Sequence, residues 1–365
     1  MVKAKTRKNV SREDVLKEIV CIANSIYKDI SKNKGPTVSM PLRSLSNVEY
    51  NSKNGFFELK GQKKVRTLTA STIKTFAQTL LLMNESKKLA KIKDTASKRE
   101  AYYISKNWGA AAFNEDSEAF TVMDDVEAML EVNREQMGFI PEEKGGAIAG
   151  KLIVIDGIDK IDCTKFGSGA YSIPSTVEHL EFKTKAKFVL VVETSALFQR
   201  LNNHKYWDKA NCIIVAMGGV PTRSTRRFVR RLSDDMNLPV YVFTDGDPYG
   251  YLNIYRTLKV GSGNAAHINE FFCVPKAKFL GVTPQDIIDY KLPTHALKDV
   301  DIKRIKDGIK NDPFVKHHKQ WENALCMMIK MRVRSEQQSL AKHGLNYVLD
   351  NYLPQKLKNP KTWLP

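Results

Sequence analysis

The chain has 365 residues, enough for two or three domains with cores of their own, and its 58 Lys and Arg against 40 Asp and Glu leave a formal net charge of +18. That balance makes a polyanion the leading electrostatic partner. The five cysteines form no C-x-x-C pair, against zinc and a disulfide framework, and no apolar stretch approaches the roughly 18 residues of a membrane span.

The five cysteines (Cys21, Cys163, Cys212, Cys273 and Cys326) read as reduced thiols, and no apolar signal core opens the sequence. A cytoplasmic, nucleoid-associated protein with no membrane partner is therefore expected. Residues 1–10 are basic and expected to fray. Ser11-Arg12-Glu13-Asp14 reads as a capped helix start. Behind it Val15, Ile19, Ile22 and Ile26 form a narrow stripe that can pack on the chain's own core or on another protein's helix, which makes it a candidate docking surface. Residues 31–68 are mixed, with Pro36, Pro41 and a hairpin turn expected at Asn54-Gly55.

A helical bundle is expected from Leu68, capped by Thr69 or Ser71, with Ile73, Phe76, Ala77, Leu80 and Leu81 on one buried face. A lysine-rich stretch (Lys87, Lys88, Lys91, Lys93) precedes Ser97-Lys98-Arg99-Glu100-Ala101-Tyr102-Tyr103. Another helix is expected over 117–132, with Phe120, Val126, Met129 and Leu130 inside. Met137 to Ile153 reads as a hairpin with a turn at Glu142–Gly146. Helices followed by a small hairpin outline a winged-helix module, a helix-turn-helix variant.

The pattern changes near residue 150. Lys151–Ile155, Phe188–Val192, Cys212–Ala216 and Val240–Phe243 are short apolar runs separated by helical segments, the signature of a doubly wound parallel sheet. The remaining residues from 316 are again helical. No internal repeat and no low-complexity segment interrupts this order.

Two of the apolar runs end in acid. Phe188–Val192 runs into Glu193, and Val240–Phe243 into Thr244-Asp245-Gly246-Asp247. Parallel strands deliver such residues to the one rim of the sheet where α/β folds place ligands. Glu193, Asp245 and Asp247, with no Cys or His nearby, suit a hard oxygen-seeking cation such as Mg²⁺. Arg223, Arg226, Arg227, Arg230 and Arg231 share one face of the helix after Cys212–Ala216. With no facing acid visible in the sequence, they are expected to contact DNA phosphates. Tyr102-Tyr103 follows Lys98 and Arg99 in the DNA-binding module. A free phenol is almost wholly protonated at neutral pH, so a nucleophilic tyrosine needs adjacent cations or a base. Arg99, one helical turn before Tyr103, can supply the cation and hold a phosphate. There is no G-x-x-x-x-G-K-[ST] loop and no G-x-S-x-G elbow, and His317-His318 lacks a third ligand at metal spacing.

Several motifs, in order, resemble one family. Val192-Glu193 through Leu201, Gly218-Gly219-Val220-Pro221-Thr222-Arg223 through Arg226, and Asp245-Gly246-Asp247-Pro248-Tyr249-Gly250 resemble the toprim core of the DNA topoisomerase VI A subunits. Lys259 through Ser262, Phe279 through Val282, and the terminal Glu336, Leu345 and Tyr352-Leu353-Pro354 belong to the same resemblance, as does Arg99-Glu100-Ala101-Tyr102-Tyr103, which is similar to the family's active-site tyrosine motif. The likeness runs from about residue 69 to the end, and residues 1–68 carry little of it.

The resemblance implies an α/β multidomain chain: a winged-helix (CAP-like) domain over 69–148, then a toprim domain with a doubly wound parallel sheet over 149–315. Residues 1–68 are then an N-terminal helix and extension, and residues 316–365 are helices packed on the toprim domain. It implies Tyr103, the second tyrosine of the motif, as nucleophile and Mg²⁺ at Glu193, Asp245 and Asp247. It also implies a homodimer that cuts both strands of DNA, joined to an ATP-hydrolysing B subunit in an A2B2 assembly. The meiotic break-forming relatives tend to carry Lys-Gly-x-Pro-Asp where this chain has Gly218-Gly219-Val220-Pro221-Thr222, which favours the archaeal type. Two rival readings use the same residues: a toprim nuclease with water as nucleophile, and a DNA-binding protein without activity.

Overall fold

The structure, a computed structural model, describes residues 11–141 and 145–365 apart from the side chains of Leu45 and Asn264. They fall into two units. The first takes in the described residues of 1–49, 58–143 and 263–271, and the second those of 50–57, 144–262 and 272–365. Apart from residues 50–57, the division places the strands before residue 68 with the helices that follow, and residues 316–365 with the sheet.

In the first unit α1 (Arg12–Ser31) starts with a reciprocal cap, in which the Ser11 side chain accepts from the Asp14 N–H and the Asp14 carboxylate accepts from the Ser11 N–H. Val15, Ile19 and Ile26 are buried against the unit's own Leu82, Met83, Val122 and Phe76, with Ile22 partly buried beside them. The stripe proposed for docking is therefore a core face, because the hydrophobic groups of this same unit cover it. Next come β1 (Thr37–Pro41) and β4 (Lys63–Thr67), which pair antiparallel; between them in the chain β2 (Val48–Asn51) and β3 (Phe56–Leu59) form a hairpin whose residues 50–57 belong to the second unit. The expected turn is present, with Gly55 at φ +79°.

α2 (Ile73–Ile92) buries Phe76, Thr79, Leu82, Met83 and Leu89, whereas Ile73 is 58% exposed. The buried face is thus rotated from the expected one, since Phe76 and the Leu82/Met83 pair claim the core. β5 (Ala96–Ser97), α3 (Lys98–Ile104), α4 (Asp116–Leu130) and β6 (Phe139–Ile140) follow in the same unit. Asp125, on α4, is buried and takes Arg43 and Arg66 at 3.0 Å each, tying the β1–β4 ribbon to the helix. The hairpin expected over 137–153 does not form. β6 pairs in parallel with β5, and Ala147–Gly150 joins the sheet of the second unit. The run Ala147-Ile148-Ala149 lacks polar alternation and suits a sheet covered on both faces. Residues 142–144 of the expected Glu142–Gly146 turn lie outside the described residues.

The second unit contains β7 (Ala147–Gly150), β8 (Leu152–Asp156), β9 (Asp159–Asp162), β10 (Tyr171–Ser172), β11 (Glu181–Thr184), β12 (Phe188–Val192), β13 (Cys212–Ala216), β14 (Val240–Phe243) and β15 (Lys278–Gly281). Six of them make one sheet in the order β10-β7-β13-β12-β14-β15. Its centre is parallel: β12 pairs with β13 on one side and β14 on the other, and β14 pairs with β15. Val189–Val192 and Ile213–Val215 are fully buried, as a parallel sheet requires. α5 (Ser195–Asn203), the short α6 (Tyr206–Lys209) and α7 (Arg223–Asp235) connect these strands. Lys151–Ile155, expected as a parallel strand, instead supplies β8, which pairs antiparallel with β9 and β11 in a separate three-stranded sheet. Leu152 and Val154 point in while Ile153 is exposed, the alternation of a half-covered antiparallel strand. Among the described residues no helix is long and apolar enough to cross a membrane.

Candidate active site

The acids meet where two neighbouring strands end. Val192 pairs with Phe243 across the β12–β14 ladder, so Glu193 and Asp245 emerge side by side. The chain leaves β12 for β13 on one side and returns to β14 on the other, which opens a crevice at the carboxyl ends of the strands. Glu193 N–H donates to Phe243 O at 3.1 Å, and Asp245 N–H donates to Glu193 Oε2 at 2.9 Å. Asp245 Oδ1 accepts from the Gln337 N–H at 2.9 Å. Asp247 Oδ1 accepts from the Gly250 N–H at 2.7 Å, and its Oδ2 lies 3.6 Å from Arg334 Nη1.

Partial burial pushes the Glu193 carboxyl up to about 7, with the charges of Asp245, Asp247 and Glu336 adding to the rise and the Asp245 N–H opposing it. Burial likewise pushes Asp245 up to about 6, opposed by the Gln337 N–H and raised further by Asp247 and Glu336. Asp247 is also raised, by burial first, while the Gly250 N–H and Arg334 act the other way. Acids that resist ionisation because they are desolvated and crowded by like charge gain a stable charged form from a cation. The donor set is all oxygen, which fits a hard divalent ion. Among the described residues no three Asp, Glu, His or Cys side chains converge as a ready cage. One oxygen of each carboxylate, Glu193 Oε2 and Asp245 Oδ1, accepts from a backbone N–H that orients it.

Glu336, Gln337 and Arg334 carry no site signal that the sequence alone reveals. Glu336 falls in one of the terminal motifs, but nothing in its spacing signals a partner 92 residues away, the separation over which Gln337 meets Asp245.

Tyr103 lies in the other unit, on α3, whose start is capped by Ser97 and Glu100 in a reciprocal box. Its ring is 65% exposed and meets the Tyr102 ring edge to face, with centroids 5.2 Å apart. Tyr102 is half-buried, with the Lys106 ammonium 4.0 Å from its ring centroid and its hydroxyl donating to Asn114 O at 3.4 Å. Arg99 Nε lies 3.7 Å from Asp116 Oδ2. The second tyrosine is the solvent-facing one, and the first packs behind it.

The arginine face of α7 departs from expectation. Arg226, Arg227 and Arg230 are buried rather than presented to solvent. Acids pair with them: Arg227 Nε meets Glu178 Oε1 at 3.0 Å, Arg230 Nε meets Asp234 Oδ2 at 2.6 Å, and Arg231 Nε meets Asp235 Oδ2 at 2.9 Å. Arg230 also donates to Cys273 O and Arg231 to Val177 O. The Arg223 and Arg226 guanidinium groups stand 4.5 and 5.6 Å from the Phe272 ring centroid. Two of the acids lie four residues on along the same helix, and Glu178 comes from a distant part of the chain, so Arg227, Arg230 and Arg231 are held in ion pairs within the fold. This corrects the premise that no acid faces these arginines.

Comparison with known proteins covers most of the chain. Residues 188–357 match the family described as the Toprim domain of Spo11 and the topoisomerase 6 A subunit. Residues 74–139 match type IIB DNA topoisomerase, and residues 142–186 match the all-beta domain in DNA topoisomerase VI alpha subunit. The A subunit of type 2 DNA topoisomerase 6 from Methanocaldococcus jannaschii is 52% identical over 369 residues, covering 100% of both chains. Proteins of the same description from Methanothermobacter thermautotrophicus and Pyrococcus abyssi are each 37% identical, over 95% and 98% of this chain and 98% of their own lengths.

Proposed function

Because this chain belongs to the topoisomerase VI A-subunit family of type IIB DNA topoisomerases, we propose that it is the DNA-cleaving subunit of an ATP-dependent type II topoisomerase that relaxes supercoiled DNA. It makes and reseals transient double-strand breaks through a 5′-phosphotyrosyl link. The observation that carries the reading is the pairing of Glu193 and Asp245 on the ends of adjacent parallel strands, each oriented by a backbone N–H. In this reading the helical unit is the winged-helix (CAP-like) module that docks DNA and carries the nucleophile, and the sheet unit is the toprim module.

Tyr103 attacks a backbone phosphorus, forming a bond from its phenolic oxygen while the bond to the 3′ oxygen breaks. Arg99 leaves Asp116 to hold the phosphate or to stabilise the phenolate. Glu193 and Asp245 would hold Mg²⁺, with Asp247 supporting them or holding a second ion, and a cation bound there would supply neutralisation of charge on the phosphate and the leaving oxygen. One phosphodiester is exchanged for another, so Tyr103 can be displaced again without an external energy source.

Directional passage of a second duplex does need one, and the sequence has no nucleotide loop. An ATP-hydrolysing B subunit is therefore the expected partner, in an A2B2 assembly built on a homodimer of this chain. The deciding experiment is incubation of this protein with the B subunit, Mg²⁺, a non-hydrolysable ATP analogue and supercoiled plasmid, followed by denaturant and protease. DNA ends carrying a 5′-linked peptide are expected. Ends free of protein would favour water as the nucleophile.

A further inference from the structure

A short segment late in the chain lies across the turn that carries Asp245 and Asp247. Gly246 N–H donates to Ser335 O at 2.8 Å, and Ser335 N–H returns a bond to Gly246 O at 3.2 Å. On one side of this bridge the Gln337 N–H orients Asp245 Oδ1, and on the other Arg334 faces Asp247 Oδ2. The Gln337 side chain is only 1% exposed. Its Nε2 donates to Phe243 O at 2.8 Å, and its Oε1 accepts from Thr194 Oγ1 at 3.3 Å. Phe243 ends β14, and Thr194 follows Glu193 at the end of β12. One buried amide therefore joins the two strand ends from which the acids project.

We propose that Gln337 is a positioning residue for the cation site, acting through Asp245 and Thr194 without touching the ion or DNA. The inference rests on the reading of Glu193 and Asp245 as cation ligands. Carboxylates bind an ion tightly only when their outer hydrogen bonds fix them in advance, because otherwise binding must also order them. Gln337 supplies that order twice. Its main chain fixes one Asp245 oxygen, and its side chain holds the main chain in place by spanning the two strand ends. Loss of the amide leaves the Phe243 carbonyl and the Thr194 hydroxyl each without one partner and frees the Gln337 N–H to drift from Asp245.

The test uses the full-length protein and Mn²⁺ alone as probe, read by the loss of the free-ion electron paramagnetic resonance signal. Gln337→Met keeps the length and loses both hydrogen bonds, and Gln337→Ala is the second variant should the first not fold. Gln285→Met, at an exposed glutamine that bonds Asp289, is the control. Mn²⁺ affinity should fall about tenfold or more in the Gln337 variants, the usual cost of removing an outer-shell partner, and stay at the wild-type value in the control. Cleavage by the complex with the B subunit should need correspondingly more Mg²⁺ yet recover at saturation. A purely structural role would lower the melting temperature without moving either metal titration. Mn²⁺ affinity within twofold of wild type in a folded Gln337 variant overturns the proposal, provided that Glu193→Ala abolishes binding. If Glu193→Ala binds Mn²⁺ as wild type does, the underlying reading of the acids fails instead.

Discussion

Asp245 lends its backbone N–H to the Glu193 carboxylate at 2.9 Å, across 52 residues of sequence. That bond makes the two acids a unit, so removal of either should disable it. Glu193→Ala and Asp245→Ala are each expected to abolish Mg²⁺-dependent cleavage. Asp247→Ala should be milder or shift the metal requirement, since Asp247 shares its charge with Arg334. Full cleavage by Glu193→Ala at millimolar Mg²⁺ would sink the metal reading.

Tyr103→Phe should abolish cleavage while DNA affinity stays within a few-fold, because only the reacting oxygen is lost. The ring is exposed, so the fold should change by no more than about 0.5 kcal/mol. Tyr102→Phe should retain substantial cleavage, since the ring that packs against Tyr103 remains. Protein-linked DNA formed by Tyr103→Phe would show that the nucleophile lies elsewhere.

On α7 the expected effect of replacing Arg226 and Arg230 with Gln is on stability. Arg230 bonds Asp234 and the Cys273 carbonyl. Its loss removes that ion pair and takes a donor from the buried Cys273 carbonyl, at a cost of about 1–3 kcal/mol. The slope of log K for DNA against log salt should equal that of the wild type. Flattening by roughly one to two, as one or two lost phosphate contacts require, would restore a DNA role for this face.

Lys259 gives a prediction for pH. Its ammonium is buried and donates to Pro275 O at 2.8 Å and Ala277 O at 2.7 Å. Burial, with Lys278 nearby, pushes its pKa down to about 7 from 10.5. Between those values the unfolded chain binds more protons than the folded one, so the contribution of this group to stability rises with pH across that window and is lowest below it. Urea unfolding at pH 6.5 to 9.5 should show a steeper rise for wild type than for Lys259→Met. Parallel curves for the two proteins would contradict the assignment.

The central strands were legible because Phe188–Val192, Cys212–Ala216 and Val240–Phe243 are unbroken apolar runs, and the acids after the first and third marked the rim. Lys151–Ile155 has the same look but forms an antiparallel strand, since composition alone does not reveal whether one face or two are covered. The arginines of α7 misled for a different reason. Helical spacing shows which side chains share a face, but it cannot show that Glu178 comes to meet that face from another part of the chain. Gln337 left no local signal at all, because its role depends on tertiary pairing with Asp245, Phe243 and Thr194.

The position of the Gln337 bridge also fixes the order in which the acid centre is assembled. The Glu193–Asp245 bond closes 52 residues and the Gln337–Asp245 bond 92. The longer closure costs only roughly 0.5 kcal/mol more in chain entropy, so the difference hardly touches final stability. Its effect is on timing. Synthesis proceeds from the N-terminus, and domains fold as they emerge, so β12, β13, β14 and all three acids leave the ribosome long before residues 334–337 exist. A nascent chain therefore carries the carboxylates without the amide that joins their strands, and the centre becomes complete only once residues 334–337 have been made.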